Sequence, residues 1–229
     1  CNYPGQDWDI AFDPTRNCLY QKLFSPVEYN QRLGNPNCVE ACLAKPVIYL
    51  YPVVPTLVDV SLKIPGTIYI SDPLYPAQGW KNVLAYPDGK LTYNNKNYNE
   101  LYYESSVKKV NAPNNGIVIA RNNLKQELGN IVSKLGLNDG EKKEFLEYWL
   151  PELDKQTSPY ILFSILNPIE KERVDHVDIS PKPDTFIGFI AYFKPLESSP
   201  ANLKPLTLPN RPQERIGFTA VEWGGTIDY

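Results

Sequence analysis

The chain reads as an α+β fold, an antiparallel β-sandwich or meander followed by an antiparallel sheet with two packed helices. Three observations predict it. Short apolar or alternating segments punctuated by Pro, Gly and Asn run from residue 46 to about 108. Two segments with helical spacing follow, and strand-like runs resume after them.

Residues 1–45 form an N-terminal arm in which Trp8, Phe12, Tyr20, Phe24 and Tyr29 are scattered among turn residues with little periodicity; these rings are expected to clamp onto the body. The arm carries all four cysteines, Cys1, Cys18, Cys38 and Cys42. An even set in a segment poor in core residues predicts two disulfides, each contributing about 2–4 kcal/mol, with three pairings open. The other readings are a lipid-bearing Cys1, as in processed bacterial lipoproteins, and free thiols. A first residue that is Cys, with no methionine in 229 residues, reads as a processed and exported chain.

Lys45-Pro46 opens a second region, residues 46–110. Val47–Tyr51 is a continuous apolar run, and Leu57–Ile64 alternates with Val58, Val60, Leu62 and Ile64 on one face. Pro65-Gly66 turns the chain into 67–71. Trp80–Tyr86 leads through Pro87-Asp88-Gly89 into Lys90–Tyr93, a hairpin signal, and Asn94-Asn95-Lys96 turns it again into Tyr98–Ser105.

Asn111–Gly116, a cluster of turn formers, is the candidate boundary of a third region, 111–229, which is either a separate unit or continuous with 46–110. Ile117–Ala120 is a short strand. Leu124, Leu128, Ile131, Val132 and Leu135 then form a helical stripe that stops at Gly136. Asn138 with Glu141 resembles a capping box for a second helix with Phe145, Leu146, Trp149, Leu150 and Leu153 on its buried side, and Pro151 is expected to kink or end it near Leu150. Strands are expected at 160–166, 173–179, 185–193 and 216–223. Prolines at 195, 200, 205, 209 and 212 keep the intervening segment extended, and it must cross and dock on the body.

Composition excludes several functions. A net charge of -3 with scattered Lys and Arg supplies no footprint for nucleic acid or an anionic membrane. The apolar runs are far shorter than the ~20 residues of a spanning helix, so no transmembrane segment is expected. No Walker-type loop or dinucleotide fingerprint occurs, and no cofactor is implied. The Cys-x3-Cys spacing at 38–42, with a single histidine in the chain, argues against structural zinc.

His176 is the one imidazole available as base or ligand. No nucleophile elbow accompanies it, so a solvated strand histidine is the bland alternative. Paired carboxylates for hydrolysis need no fixed spacing, and Glu104, Asp184 and Glu222 are the candidates. Glu222 shares a strand face with Phe218 and Ala220, which requires a shifted pKa or a partner such as Arg215 or Arg121. Asp7, Asp9 and Asp13 are calcium candidates, although they lack the Gly and terminal Glu of an EF-hand loop. Trp80, Tyr98, Tyr102 and Tyr103 are either core rings or a surface for stacking sugars or docking a protein.

The segments Lys45–Pro52 (KPVIYLYP) and Glu214–Gly225, with its GFTAVEWGG run, together with Tyr148–Pro151 and Phe193–Leu196, resemble an uncharacterised prokaryotic family. The similarity spans residues 45–225. It implies a bacterial or archaeal origin and one continuous unit, and it brings no activity, cofactor or catalytic residue. The arm lies outside it. The reading of the whole is a secreted or cell-surface, non-catalytic binding or structural subunit of an extracellular assembly, partnered by itself, by other cell-surface proteins or by a glycan. Its alternatives are a carboxylate-dependent hydrolase of wall polysaccharide or peptide and a carbohydrate-binding module.

Overall fold

The computed structural model describes residues 8–13, 18–23, 41–107 and 109–228. Strands β1 (Trp8–Asp13) and β2 (Cys18–Leu23) pair as an antiparallel hairpin. Cys1 and Cys38 lie outside the described residues, as do the side chains of Cys18 and Cys42, the expected disulfides and the expected docking of the arm's rings.

The rest is an α+β fold. In chain order it comprises β3 (Ala41–Tyr51), β4 (Thr56–Lys63), β5 (Gly66–Asp72), β6 (Trp80–Ala85), β7 (Leu91–Tyr93), β8 (Lys96–Tyr98), β9 (Leu101–Val107), β10 (Asn115–Ala120), α1 (Leu124–Lys134), α2 (Asp139–Asp154), β11 (Tyr160–Ile165), α3 (Pro168–Val174), β12 (His176–Ser180), β13 (Thr185–Leu196), β14 (Lys204–Pro205) and β15 (Thr219–Ile227). An eight-stranded sheet runs β14-β10-β11-β13-β15-β3-β9-β5, and a five-stranded sheet runs β12-β4-β6-β7-β8. Pairing is antiparallel except at β13–β15 and β10–β14. The larger sheet interleaves strands from both sides of residue 111, so the segments 46–110 and 111–229 share one sheet. The two most distinctive motifs become its neighbouring central strands, with Ile48 opposite Glu222 and Val47 opposite Trp223.

Alternation along these strands feeds both faces. Val47, Tyr49, Val221, Trp223, Phe189 and Phe193 pack under α1 and α2, whereas Ile48, Leu50, Ala220, Leu101 and Tyr103 pack against Val58, Val60, Trp80 and Val83 of the smaller sheet. A third cluster, which includes Leu162, Ile190, Tyr192 and Val174 of α3, continues that second face. Phe145 and Trp149 of α2 meet Phe193 and Trp223 in an aromatic core. Gly225 makes room for it: a Cβ there would stand 2.5 Å from Trp149 Cζ2.

Local chemistry explains the helix ends. Gly136, at φ 107, closes α1, its N–H donating to the Ser133 carbonyl while that of Leu137 reaches Val132, the paired bonds of a Schellman stop. The Asn138–Glu141 capping box opens α2, with bonds of 2.9 and 2.8 Å. Pro151 does not end that helix. It forfeits one backbone bond, but Leu153 is buried on the Phe145–Trp149 stripe and holds the final turn in place.

Two other expectations change. Residues 173–179 are not one strand: α3 ends at Val174, and β12 begins at His176. Asn167, whose side chain accepts from the Glu170 N–H, and Pro168 at the first turn supply the start signal that the strand reading passed over. The last strand begins at Thr219 rather than at residue 216. The proline-rich segment docks as expected, with β14 beside β10 and Leu206 and Leu208 packed on the helix-side core.

Candidate functional site

Polar clusters flank the eight-stranded sheet on its two faces. On the helix face the decisive local feature is a bulge in β3 between Leu43 and Val47, where Lys45 adopts φ 53 ahead of Pro46. Lys45 Nζ lies 2.9 Å from Glu100 Oε1 and 3.2 Å from Glu144 Oε1, over the Tyr102 ring. Tyr49 donates to Glu144 Oε2 at 2.8 Å. Glu141, Glu144 and Tyr148 stand at helical positions i, i+3 and i+7, so α2 offers one polar row along β3 and β9. Glu141 closes the row by accepting from Tyr51 at 2.8 Å and from Arg215 at 2.9 and 2.5 Å.

Glu100 is pushed up to about 7, by burial first and then by its hydrogen bond with Glu144. For Glu144 burial acts upward, but hydrogen bonds from Glu100, Tyr49 and Lys45 outweigh it, and the group stays below its ordinary value. Of the two, Glu100 is the one driven toward its protonated form, beside the Lys45 cation.

The opposite face holds Tyr103 of β9, Lys171 of α3, Asp175 just after α3 and Glu222 of β15, with side-chain exposure of 9% for Lys171 and 0% for Glu222. Lys171 Nζ lies 2.6 Å from Glu222 Oε2 and donates to the Asp175 backbone carbonyl at 3.0 Å. Tyr103 OH reaches Asp175 Oδ1 at 2.6 Å and Glu222 Oε1 at 3.0 Å. Burial, and then the charge of Glu222, hold Asp175 well above the usual carboxylate range. Burial acts downward on Lys171, yet Glu222 and Asp175 outweigh it and its pKa is raised.

The residues singled out from sequence are dispersed. Glu222 lies in this buried quartet, and its cation is Lys171 rather than Arg215 or Arg121. Arg121 instead donates to the Ser158 and Leu153 carbonyls. Glu104, 2% exposed, accepts from Tyr102 at 2.6 Å, Tyr69 at 3.2 Å and Tyr148 at 3.3 Å on the helix face. Asp184 is exposed and accepts the Phe218 N–H at 2.8 Å, bracing the entry to β15. His176 is held between Glu172 and Asp178, and its pKa is raised, chiefly by the hydrogen bond with Glu172.

Trp80 and Tyr103 are core rings with no exposure, Tyr98 packs against the same cluster, and Tyr102 is half-buried beneath Lys45. These four do not form an exposed platform. Asp7 lies outside the described residues, whereas Asp9 and Asp13 stand on a paired strand opposite Lys22 and Cys18. Among the described residues no three His, Cys, Asp or Glu side chains gather as a metal would require. No helix among them is long and apolar enough to cross a membrane. A shallow depression of about 550 Å3 is lined by Tyr86, Pro87, Asp88, Lys90, Thr92 and Asn97 at the β6–β7 turn.

Sequence reading missed Lys45, Glu100, Glu144, Lys171 and Asp175. The Lys45-Pro46 step within an apolar run was the available sign of a bulge. No family model, curated protein or solved structure matches the chain.

Proposed function

We propose that the protein is a secreted or cell-surface, non-catalytic binding or structural subunit of an extracellular assembly. One contrast carries this reading. The carboxylates best placed for chemistry are consumed by internal partners, while large apolar side chains stay in solvent at one end of the main sheet. Thr185, Thr219 and Tyr51 form a row across β13, β15 and β3. Within three residues of that row lie Val53 and Val54, 69% and 60% exposed, Ile216 at 62% and Phe186 at 38%. Apolar groups gathered in this way suit contact with another protein surface.

The cysteine-bearing arm supports an oxidising location, and the resemblance of the β3 and β15 motifs to a prokaryotic family favours a bacterial or archaeal surface. Cross-linking of the protein in its native source, followed by mass measurement, is expected to capture it in complexes with itself or with other surface proteins. Val53→Asp combined with Ile216→Asp is expected to disperse them. Recovery of unassociated monomers only, or hydrolysis of polysaccharide or peptide by the purified chain, overturns the reading.

A further inference from the structure

The buried quartet has a composition that ion pairing alone does not require. One ammonium faces two carboxyl groups in a dry interior, where a surplus negative charge is expensive and a proton is retained instead. The groups come from separate elements: Lys171 from α3, Asp175 from the α3–β12 junction, Glu222 from the centre of the main sheet and Tyr103 from β9. Phe186 covers the Lys171 ammonium, with its ring centroid 5.8 Å from Nζ. Lys171 Nζ meets Glu222 Oε2 at 2.6 Å, yet that oxygen lacks an aligned hydrogen bond, and Asp175 Oδ2 has none either.

We infer that Lys171 and Glu222 are the partners of an intramolecular amide cross-link, formed by the folded protein itself with Asp175 as the acid–base group. The reaction starts from the minor form of the pair, in which the ammonium has passed a proton to Glu222 and a neutral amine stands beside a carboxylic acid. The amine lone pair attacks Glu222 Cδ, and Asp175, which shares the Tyr103 hydroxyl with that carboxyl group, protonates the departing hydroxyl and then recovers the proton lost by nitrogen. Tyr103 steadies both carboxyl groups through its hydroxyl. The balance is one ammonium plus one carboxylate giving one amide plus one water, with no oxidant or co-reactant. Fixing the amine against the carboxyl group supplies the proximity that water-separated side chains lack. The product ties α3 to the central strand covalently.

The test is the mass of the purified, reduced full chain together with its tryptic map. The expected result is a mass below that of the sequence by one water, about 18 Da, and a branched peptide joining the Lys171 and Glu222 segments, uncut at Lys171. Lys171→Arg and Asp175→Asn should each restore the full mass, and Asp175→Asn keeps the shape of the site. The measurement on the unaltered chain decides the matter even where a variant fails to fold. A full-mass chain cut normally at Lys171 overturns the inference, and so does a branch from Lys171 to Asp175. Water loss at the Lys171–Glu222 pair in Asp175→Asn removes Asp175 from the mechanism.

Discussion

The two faces of the eight-stranded sheet solve the same problem in different media. Each presents a lysine to two carboxyl groups with tyrosine hydroxyls alongside: Lys45 with Glu100, Glu144 and Tyr49 under α2, and Lys171 with Glu222, Asp175 and Tyr103 between the layers. In both, one carboxyl group is driven toward its protonated form. The difference is water. Lys45 and Glu144 remain 17% and 33% exposed, whereas Glu222 is wholly enclosed. A rim cluster can relax into solvent when it loses a member, and an enclosed one cannot.

Removing each lysine gives the strongest test of that contrast. Lys171→Ala leaves the Glu222 carboxyl group without its partner in the interior and is expected to lower unfolding free energy by about 3–5 kcal/mol. Lys45→Ala, open to water, should cost only about 1 kcal/mol. Equal losses in denaturant titrations would erase the distinction. Glu141→Ala, at the end of the rim row, removes a capping-box partner and the acceptor of Tyr51 and Arg215. A loss of about 1–2 kcal/mol is expected in the same titrations, and no change would mean that the row carries no stability.

The last test is a pH slope. Glu100 sits at about 7 against 4.5 for an unperturbed glutamate, so between those values the folded chain binds a proton that the unfolded chain has released. Stability from this group therefore falls as pH rises from about 4.5 through 7, opposed in part by the downward shift of Glu144. Glu144, shifted the other way, acts in a lower window, losing its contribution as pH falls below 4.5. Glu100→Gln should flatten the melting temperature against pH between 5 and 8. An unchanged slope would place the retained proton elsewhere.

Elements defined by local chemistry were legible in the sequence. The Leu124–Leu135 stripe with its Gly136 stop, the Asn138–Glu141 box and the Asp88-Gly89 hairpin all rest on residues within a turn of one another. Glu222 on an apolar face could also be read directly, because alternation fixes a strand's faces. Its partner could not, since Lys171 sits 51 residues earlier on a short helix, between the strands expected at 160–166 and 173–179. Lys45 reaches Glu144 only because a bulge breaks the two-residue period of β3, and periodicity is blind to the residue that interrupts it. The strand order was likewise closed to inspection: β15 inserts between β13 and β3, and its pairing with β3 spans more than 160 residues.

That insertion sets a timetable. With β15 absent, the main sheet has no bond joining β13 to β3 and separates into a four-stranded piece, β14-β10-β11-β13, and a three-stranded piece, β3-β9-β5. A ribosome or an export channel delivers a chain from its N-terminus, so the apolar KPVIYLYP strand emerges long before the segment that covers its flank. Until Thr219–Ile227 arrives, that flank is an open edge, able to recruit a foreign strand.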